Sequence, residues 1–216
     1  MLTGQVGEGF YAFIALLALI NPISTAAVFA TVTQGRTAAD QAQIAKRAAI
    51  VAAVTLVAFA FLGEALLSAL GIAIGAFKIA GGLLLLKVGF DTVFAEKTHR
   101  EVAADRARET AAPENDPSVF PLAIPIITGP GALTASVALV NPTDSHHYLN
   151  GATFTVVALV VIAINYAFML GAETLTARIG QTGIDAVGRI VGIVISAIAV
   201  QLVVSGISSL TNFTLH

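Results

Sequence analysis

Apolar side chains come in six long runs, at about residues 10–30, 48–70, 72–94, 119–140, 152–172 and 186–209. Each run is apolar on all sides rather than alternating, which excludes the roughly ten-residue strands of a membrane barrel. Each is about 20 residues long, the length a helix needs to cross ~30 Å of hydrocarbon. The pattern predicts an all-α membrane protein with six transmembrane helices. One connection is long and polar, AEKTHREVAADRARETAAPENDPS at 95–118, with both signs of charge and a turn-forming end. It reads as a solvated linker between a first three-helix unit, 1–94, and a second, 119–216.

Composition agrees: 56% of the 216 residues are apolar and 11% charged, which rules out a large soluble domain. A net charge of -2 gives no basic surface for nucleic acid. The absence of cysteine excludes disulfides, thiolate chemistry, iron–sulfur clusters and Cys-type zinc sites. His99, His146, His147 and His216 all fall outside the apolar runs without metal-ligand spacing, so neither metal nor cofactor is expected. With no GxSxG motif and no pair of Asp residues within the runs, an enzyme is not expected either. No Lys or Arg precedes the first run, which therefore reads as mature protein rather than a secretory signal.

Basic residues set the orientation. If the runs cross alternately, the connections after helices 1, 3 and 5 hold Arg36, Lys46, Arg47, Lys97, Arg100, Arg106, Arg108 and Arg178, and the opposite connections and both termini hold none. The positive-inside rule makes the first set cytoplasmic and puts both termini on the periplasmic side. Were 10–30 and 119–140 re-entrant hairpins instead, Arg178 would lie on the outer side, against that rule.

The two halves resemble each other. Sliding the chain by 108 residues sets LINPISTAA (19–27) against ITGPGALTA (127–135), with Pro22 over Pro130 and Gly63 over Gly171. A three-residue slip then sets Lys78-Ile79-Ala80-Gly81 against Arg189-Ile190-Val191-Gly192. Three crossings per half make the repeat an inverted one, a transporter architecture in which interrupted helices at matching positions mark the binding site. Helices 1 and 4 are the interrupted ones, broken mid-membrane at Asn-Pro and Gly-Pro-Gly. A proline removes one N–H and clashes with the carbonyl four residues back, so Pro22 and Pro130 should free the carbonyls of Ala18 and Ile126. Asn21 and Gly129 suit an N-cap and each proline the first helical position. Eleven residues precede each break, about 16 Å of helix and half of the hydrocarbon. The N–H groups of Ile23, Ser24 and Thr25, and of Gly131, Ala132 and Leu133, would offer two positive helix ends to a carboxylate. Freed carbonyls with the hydroxyls of Ser24, Thr25, Thr128 and Thr134 would receive an ammonium or a coupling cation, H+ or Na+.

Charged residues inside the runs are expensive and ask for a reason. Lys78 and Arg189 either face the interior, pairing with Glu64 and Glu173 or with substrate, or lie near helix starts and reach for headgroups along their stems. Glu64 and Glu173 are candidates for proton relay. Asn165 and Tyr166 interrupt helix 5, where an amide either joins helices or touches substrate. Gly71, Gly75, Gly81, Gly82, Gly188 and Gly192 are expected to let backbones approach closely.

With Asn21-Pro22-Ile23, FKIAGGLLLL (77–86), PLAIPIITGPGAL (121–133) and IDAVGRIVGIVISAIAVQLVVSGI (184–207), the chain resembles the MarC family of bacterial inner-membrane proteins along nearly its whole length. Where that family's first motif usually reads N-P-I-G with a second proline soon after, Ser24 and Ala27 stand here. The resemblance implies transport, import or export, of small neutral amino acids such as alanine or glycine across the inner membrane. The expected substrate site comprises Asn21, Pro22, Ile23, Ser24, Thr25, Thr128, Gly129, Pro130, Gly131 and Thr134. A rival class is a non-transporting assembly or stress-related membrane component whose helix breaks only shape packing. Direction of transport, coupling ion and oligomeric state are not legible in the sequence.

Overall fold

The computed structural model describes residues 2–94, 116–140 and 151–211. Most of the predicted linker, 95–115, lies outside them, as do His99, His146, His147 and His216. Every described element is helical or coiled, in the order α1 (Leu2–Ile20), α2 (Pro22–Val32), α3 (Ala38–Ala69), α4 (Ile74–Val93), a proline-rich segment (Ser118–Ile127), α5 (Pro130–Val140), α6 (Gly151–Leu170) and α7 (Ala172–Thr211).

Local chemistry explains the boundaries. At the start of α3 the Thr37 hydroxyl accepts the Asp40 N–H at 3.2 Å, and Asp40 adds negative charge to the first turn. Its end is a left-handed glycine stop: Gly71 has φ 69°, Ile72 N–H donates to Leu67 O at 2.8 Å and Gly71 N–H to Ser68 O at 3.0 Å. Gly180, at φ 68° and ψ 169°, interrupts α7.

Four apolar segments are long enough to cross a membrane: Gly7–Val32 (26 residues, α1 and α2 together), Ala38–Ala69 (32), Gly151–Leu170 (20) and Thr182–Thr211 (30). The proline-rich segment and α5 make a fifth as a pair bent by 61°. Helix α4 has the length, 20 residues, but carries Lys78, Lys87 and Asp91. The protein is thus an all-α integral membrane protein with four or five such spans among its described residues, where the runs predict six. Many large apolar side chains point outward, among them Val54, Leu62, Leu83, Val156, Ile190 and Ile193, a lipid-facing surface that water would not tolerate at this density.

One continuous core joins α1, α2, α3, the proline-rich segment, α5 and α6 around Leu16, Ile20, Phe29, Leu56, Ile126 and Phe154. Leu85 of α4 and Ile195 and Ala199 of α7 belong to the same core, and these two helices are locked to each other. Gly75, Gly82 and Gly89 recur every seven residues on α4 and face Gly206, Ala199 and Gly192, spaced likewise on α7. A Cβ at Gly82 would stand 2.8 Å from the Ala199 carbonyl, and one at Gly206 2.6 Å from the Gly75 carbonyl. Backbone meets backbone there, as the small-residue packing of membrane helices requires. Gly81 and Gly192 share the expected packing role, whereas Gly71 makes the turn described above and Gly188 has only Thr92 near it, at 3.8 Å.

Candidate functional site: two breaks in one core

The first break occupies a single residue. The residue before a proline is pushed out of the right-handed helical region, and Asn21 settles at φ 50°, ψ 77°, a left-handed conformation that asparagine tolerates better than most. Its side-chain oxygen accepts the Ser24 N–H at 3.3 Å and its carbonyl accepts the Thr25 N–H at 3.0 Å. Thr25 Oγ1 donates to the Ile20 carbonyl at 3.0 Å. Hydrogen bonding therefore continues through the junction, since Asn21 N–H itself donates to Leu17 O at 2.9 Å. The expected trio of open N–H groups shrinks accordingly, because two of them, on Ser24 and Thr25, are spent on Asn21.

The second break is larger. Pro121 and Pro125 each force the preceding residue to extend, Phe120 at φ -126°, ψ 125° and Ile124 at φ -128°, ψ 122°; both X–Pro bonds are cis. Instead of the eleven-residue half-helix the apolar run suggests, Ser118–Ile127 is a wide coil closed by bonds spanning five residues, Leu122 N–H to Pro117 O (3.2 Å) and Thr128 N–H to Ala123 O (2.9 Å). The Thr128 hydroxyl adds a bond to the same Ala123 carbonyl at 2.8 Å. Leu133 N–H reaches Gly129 O at 3.1 Å, leaving Gly131 and Ala132 as first-turn donors without an intrahelical acceptor.

The breaks cross. Helix α1 packs on α5 while α2 packs on the proline-rich segment. Asn21, Pro22, Thr25, Thr128 and Gly129 are all buried, with Thr25 and Thr128 each 1% exposed, and Ile20, Ala26, Ile126, Ile127 and Ala132 around them belong to one apolar cluster. Ile23 and Ser24 are half-buried and Pro130 is exposed. Gly131 and Thr134 face α4, where Leu85 closes over Gly131 and Thr134 sits on Gly81. The predicted residues thus divide into a buried group at the crossing (Asn21, Pro22, Thr25, Thr128 and Gly129), three more open ones (Ile23, Ser24 and Pro130) and a pair packed against α4 (Gly131 and Thr134).

The charged candidates part company. Lys78 is 3% exposed and its Nζ donates to Ser205 Oγ on α7 at 3.3 Å, an interior position. Arg189, which the sequence alignment of the two halves sets against it, is exposed. Glu64 is exposed and makes no ion pair among the described residues; Glu173 is exposed and accepts from Gln41 Nε2 at 3.0 Å. Both carboxylates point off the outer side of their helices rather than into the core.

Three polar contacts were not foreseen from the sequence. Lys87 grips Asp91 through both carboxylate oxygens at 3.0 Å, a pairing that the i, i+4 spacing in KVGFD already encodes. At one end of the bundle Gln41 meets Glu173, and Arg47 reaches Asp116 at 2.6 Å, ties between distant parts of the chain that no spacing rule reveals. Burial works against the Asp116 carboxylate, but Ser118, whose N–H donates at 3.0 Å, and the Arg47 guanidinium prevail and hold it below the usual range. These ties hold the start of α3 against the start of α7 and against Asp116, just before the proline-rich segment.

Comparison with known proteins gives the fold a relation. The sequence matches the family described as MarC family integral membrane protein over residues 7–211. It is 37% identical over 200 residues to a UPF0056 membrane protein of Methanocaldococcus jannaschii, covering 91% of this chain and 94% of that one. It is 32% identical over 201 residues to the UPF0056 membrane protein YhcE of Escherichia coli (93% and 92% covered), and 29% over 201 to YvbG of Bacillus subtilis (93% and 94%). No solved structure matches it. With its all-helical bundle, its apolar exterior and a match along almost its full length, the chain belongs to the MarC family of integral membrane proteins.

Proposed function

We propose that this protein is a secondary transporter of small neutral amino acids, such as alanine or glycine, and that substrate binds where the two broken segments cross. The observation that carries the reading is the crossing itself: α1 against α5, α2 against the proline-rich segment, with Asn21, Thr25, Thr128 and Gly129 buried between them. Polar groups are costly in a membrane core and concentrate at substrate paths. Interrupted helices meeting at such a point are the usual seat of substrate in transporters built from inverted repeats. The hydroxyls of Thr25 and Thr128 donate to carbonyls and keep their lone pairs for an ammonium group, while Gly131 and Ala132 N–H serve a carboxylate.

In this reading the chain crosses the bacterial inner membrane six times as an inverted 3+3 repeat, with the bent pair as the fourth span and α4 as the third. Helix α4 tolerates hydrocarbon because Lys78 bonds inside the protein and Lys87 is neutralised by Asp91. Its interlock with α7 bears on the motion. Because α4 belongs to the first half and α7 to the second, the halves do not rock as separate bodies; the α4–α7 pair moves as one against the remaining helices, with α5 between α3 and α4 as the shifting layer.

Counterflow tests the function: protein in liposomes loaded with unlabelled L-alanine should accumulate labelled L-alanine without an ion gradient. No accumulation with alanine, serine or glycine refutes it. Topology is tested in the cysteine-free background by single cysteines at Gly7 and Arg36, expected to label from the periplasmic and cytoplasmic sides respectively.

A second reading has its own observation. Ser24 N–H, Thr25 and Thr128 are bonded within the breaks, which suits a non-transporting membrane component whose breaks are packing features. An amino-acid panel that raises the melting temperature for none of its members favours that reading, since a ligand of the native state must raise it.

A further inference from the structure

Asn165 is fully buried, and neither its Nδ2 nor its Oδ1 has a hydrogen-bond partner among the described residues. Buried carboxamides are nearly always satisfied, so one with both ends open needs an explanation. It stands on the buried stripe of α6 with Ala158, Val161, Ile162 and Met169, the side of that helix that packs into the core shared with α1, α2 and α3.

Register puts it beside the first break. A Cβ at Gly9 of α1 would touch the Thr153 methyl of α6 at 3.7 Å, and past the other end Gln41 meets Glu173, so the α1–α2 span and α6 run side by side in the same direction. Twelve residues beyond the Gly9–Thr153 contact each of the two segments carries an asparagine, Asn21 on one and Asn165 on the other. At a rise of ~1.5 Å per residue both lie about 18 Å along, on one level of the bundle. Neither 9–32 nor Gly151–Leu170 contains a charged residue.

We propose that the Asn165 carboxamide is part of the substrate site, accepting the ammonium of a zwitterionic amino acid at Oδ1 and donating to its carboxylate from Nδ2. The inference rests on the transport reading given above. A carboxamide supplies both a donor and an acceptor without net charge, which matches a ligand that is itself neutral overall, and the charge-free walls offer no counter-charge to a ligand that is not.

The test is alanine counterflow by wild type, Asn165→Leu and the smaller Asn165→Ala, each with its melting temperature in detergent with and without L-alanine. Leu should melt no lower than wild type, because it removes an unsatisfied polar group from an apolar core. Both variants should raise the KM for counterflow by about tenfold or more, the loss of hydrogen bonds to charged ligand groups, and both should lose any alanine-induced stabilisation. An active wild type with variants whose KM stays within twofold overturns the role of Asn165 and leaves the transport reading standing. A Leu variant that melts well below wild type while its KM holds would show a carboxamide that binds helices together and also overturns it. A wild type that neither counterflows nor is stabilised by any amino acid overturns both.

Discussion

The two breaks differ in how much helix they destroy. At Asn21 one left-handed residue and one proline interrupt the chain, yet α1 and α2 still form a single 26-residue span. Around Gly129 three prolines, at 121, 125 and 130, spoil the regular bonding of ten residues and bend the pair by 61°. A proline at the first helical position forfeits an N–H the helix was not using, whereas prolines one turn apart keep extending the residues before them. The first break behaves as a joint in an otherwise continuous rod and the second as a region with no rod at all. The second break therefore leaves more irregular backbone, with the Gly131 and Ala132 N–H groups lacking an intrahelical acceptor, while the first spends its Ser24 and Thr25 N–H groups on Asn21.

The sharpest way to break this comparison is at Gly131 and Ile23, each one residue past the proline of its break. Gly131→Val drives a side chain into Leu85 of α4 and should cost roughly 3 kcal/mol of stability, read as a lower melting temperature and folded yield in detergent. Ile23→Val, at a half-buried site, should cost about 1 kcal/mol or less; equal losses would mean that the second break is no tighter than the first. At the joint itself, Asn21→Ala combines a left-handed alanine with a lost cap for Ser24 and should destabilise by about 2 kcal/mol, while Asn21→Gly should restore most of that. Pro22→Ala should lower stability by about 1 kcal/mol, from the buried ring carbons lost and the freer unfolded chain, because hydrogen bonding already passes through the junction. A large loss there would make the first break as demanding as the second.

The smallest effect concerns the entrance to the second break. The Asp116 carboxyl is held below the ordinary aspartate value of 3.8, so its contribution is present above about pH 4 and fades as the pH falls through its still lower folded value. With the side chains of Arg47 and Asp116 54% and 40% exposed, solvent screening keeps that contribution to a few tenths of a kcal/mol. The difference in melting temperature between wild type and Asp116→Asn should be small at pH 6 and shrink as the pH falls below about 4; a difference that grows on acidification would contradict the sign.

Much of the fold was legible in the sequence because the lipid imposes long uniform runs, and the joint was legible because Asn-Pro is a local signal. The coil at Ser118–Ile127 was missed although Pro121 and Pro125 stand in plain view, since a reading by apolarity alone treats PLAIP as more helix. Lys78 and Arg189 align when the sequence is slid along itself, yet one is buried against Ser205 and the other exposed. That difference depends on which helix lies alongside, a non-local fact that no pattern within either run contains. Asn165 was visible as a polar interruption, but whether an amide has partners is settled only by its neighbours in space.

The seven-residue spacing of glycines on α4 and α7 reaches beyond packing to what evolution can change. One residue inserted or deleted within either helix would turn everything past it by about 100° and carry the small residues beyond it out of line with their partners across the Gly75–Gly206, Gly82–Ala199 and Gly89–Gly192 contacts. Relatives of this chain should therefore vary in length between their helices and hardly ever inside these two, so that a gap falling within 75–89 or 192–206 would mark a lineage in which this pair has come apart.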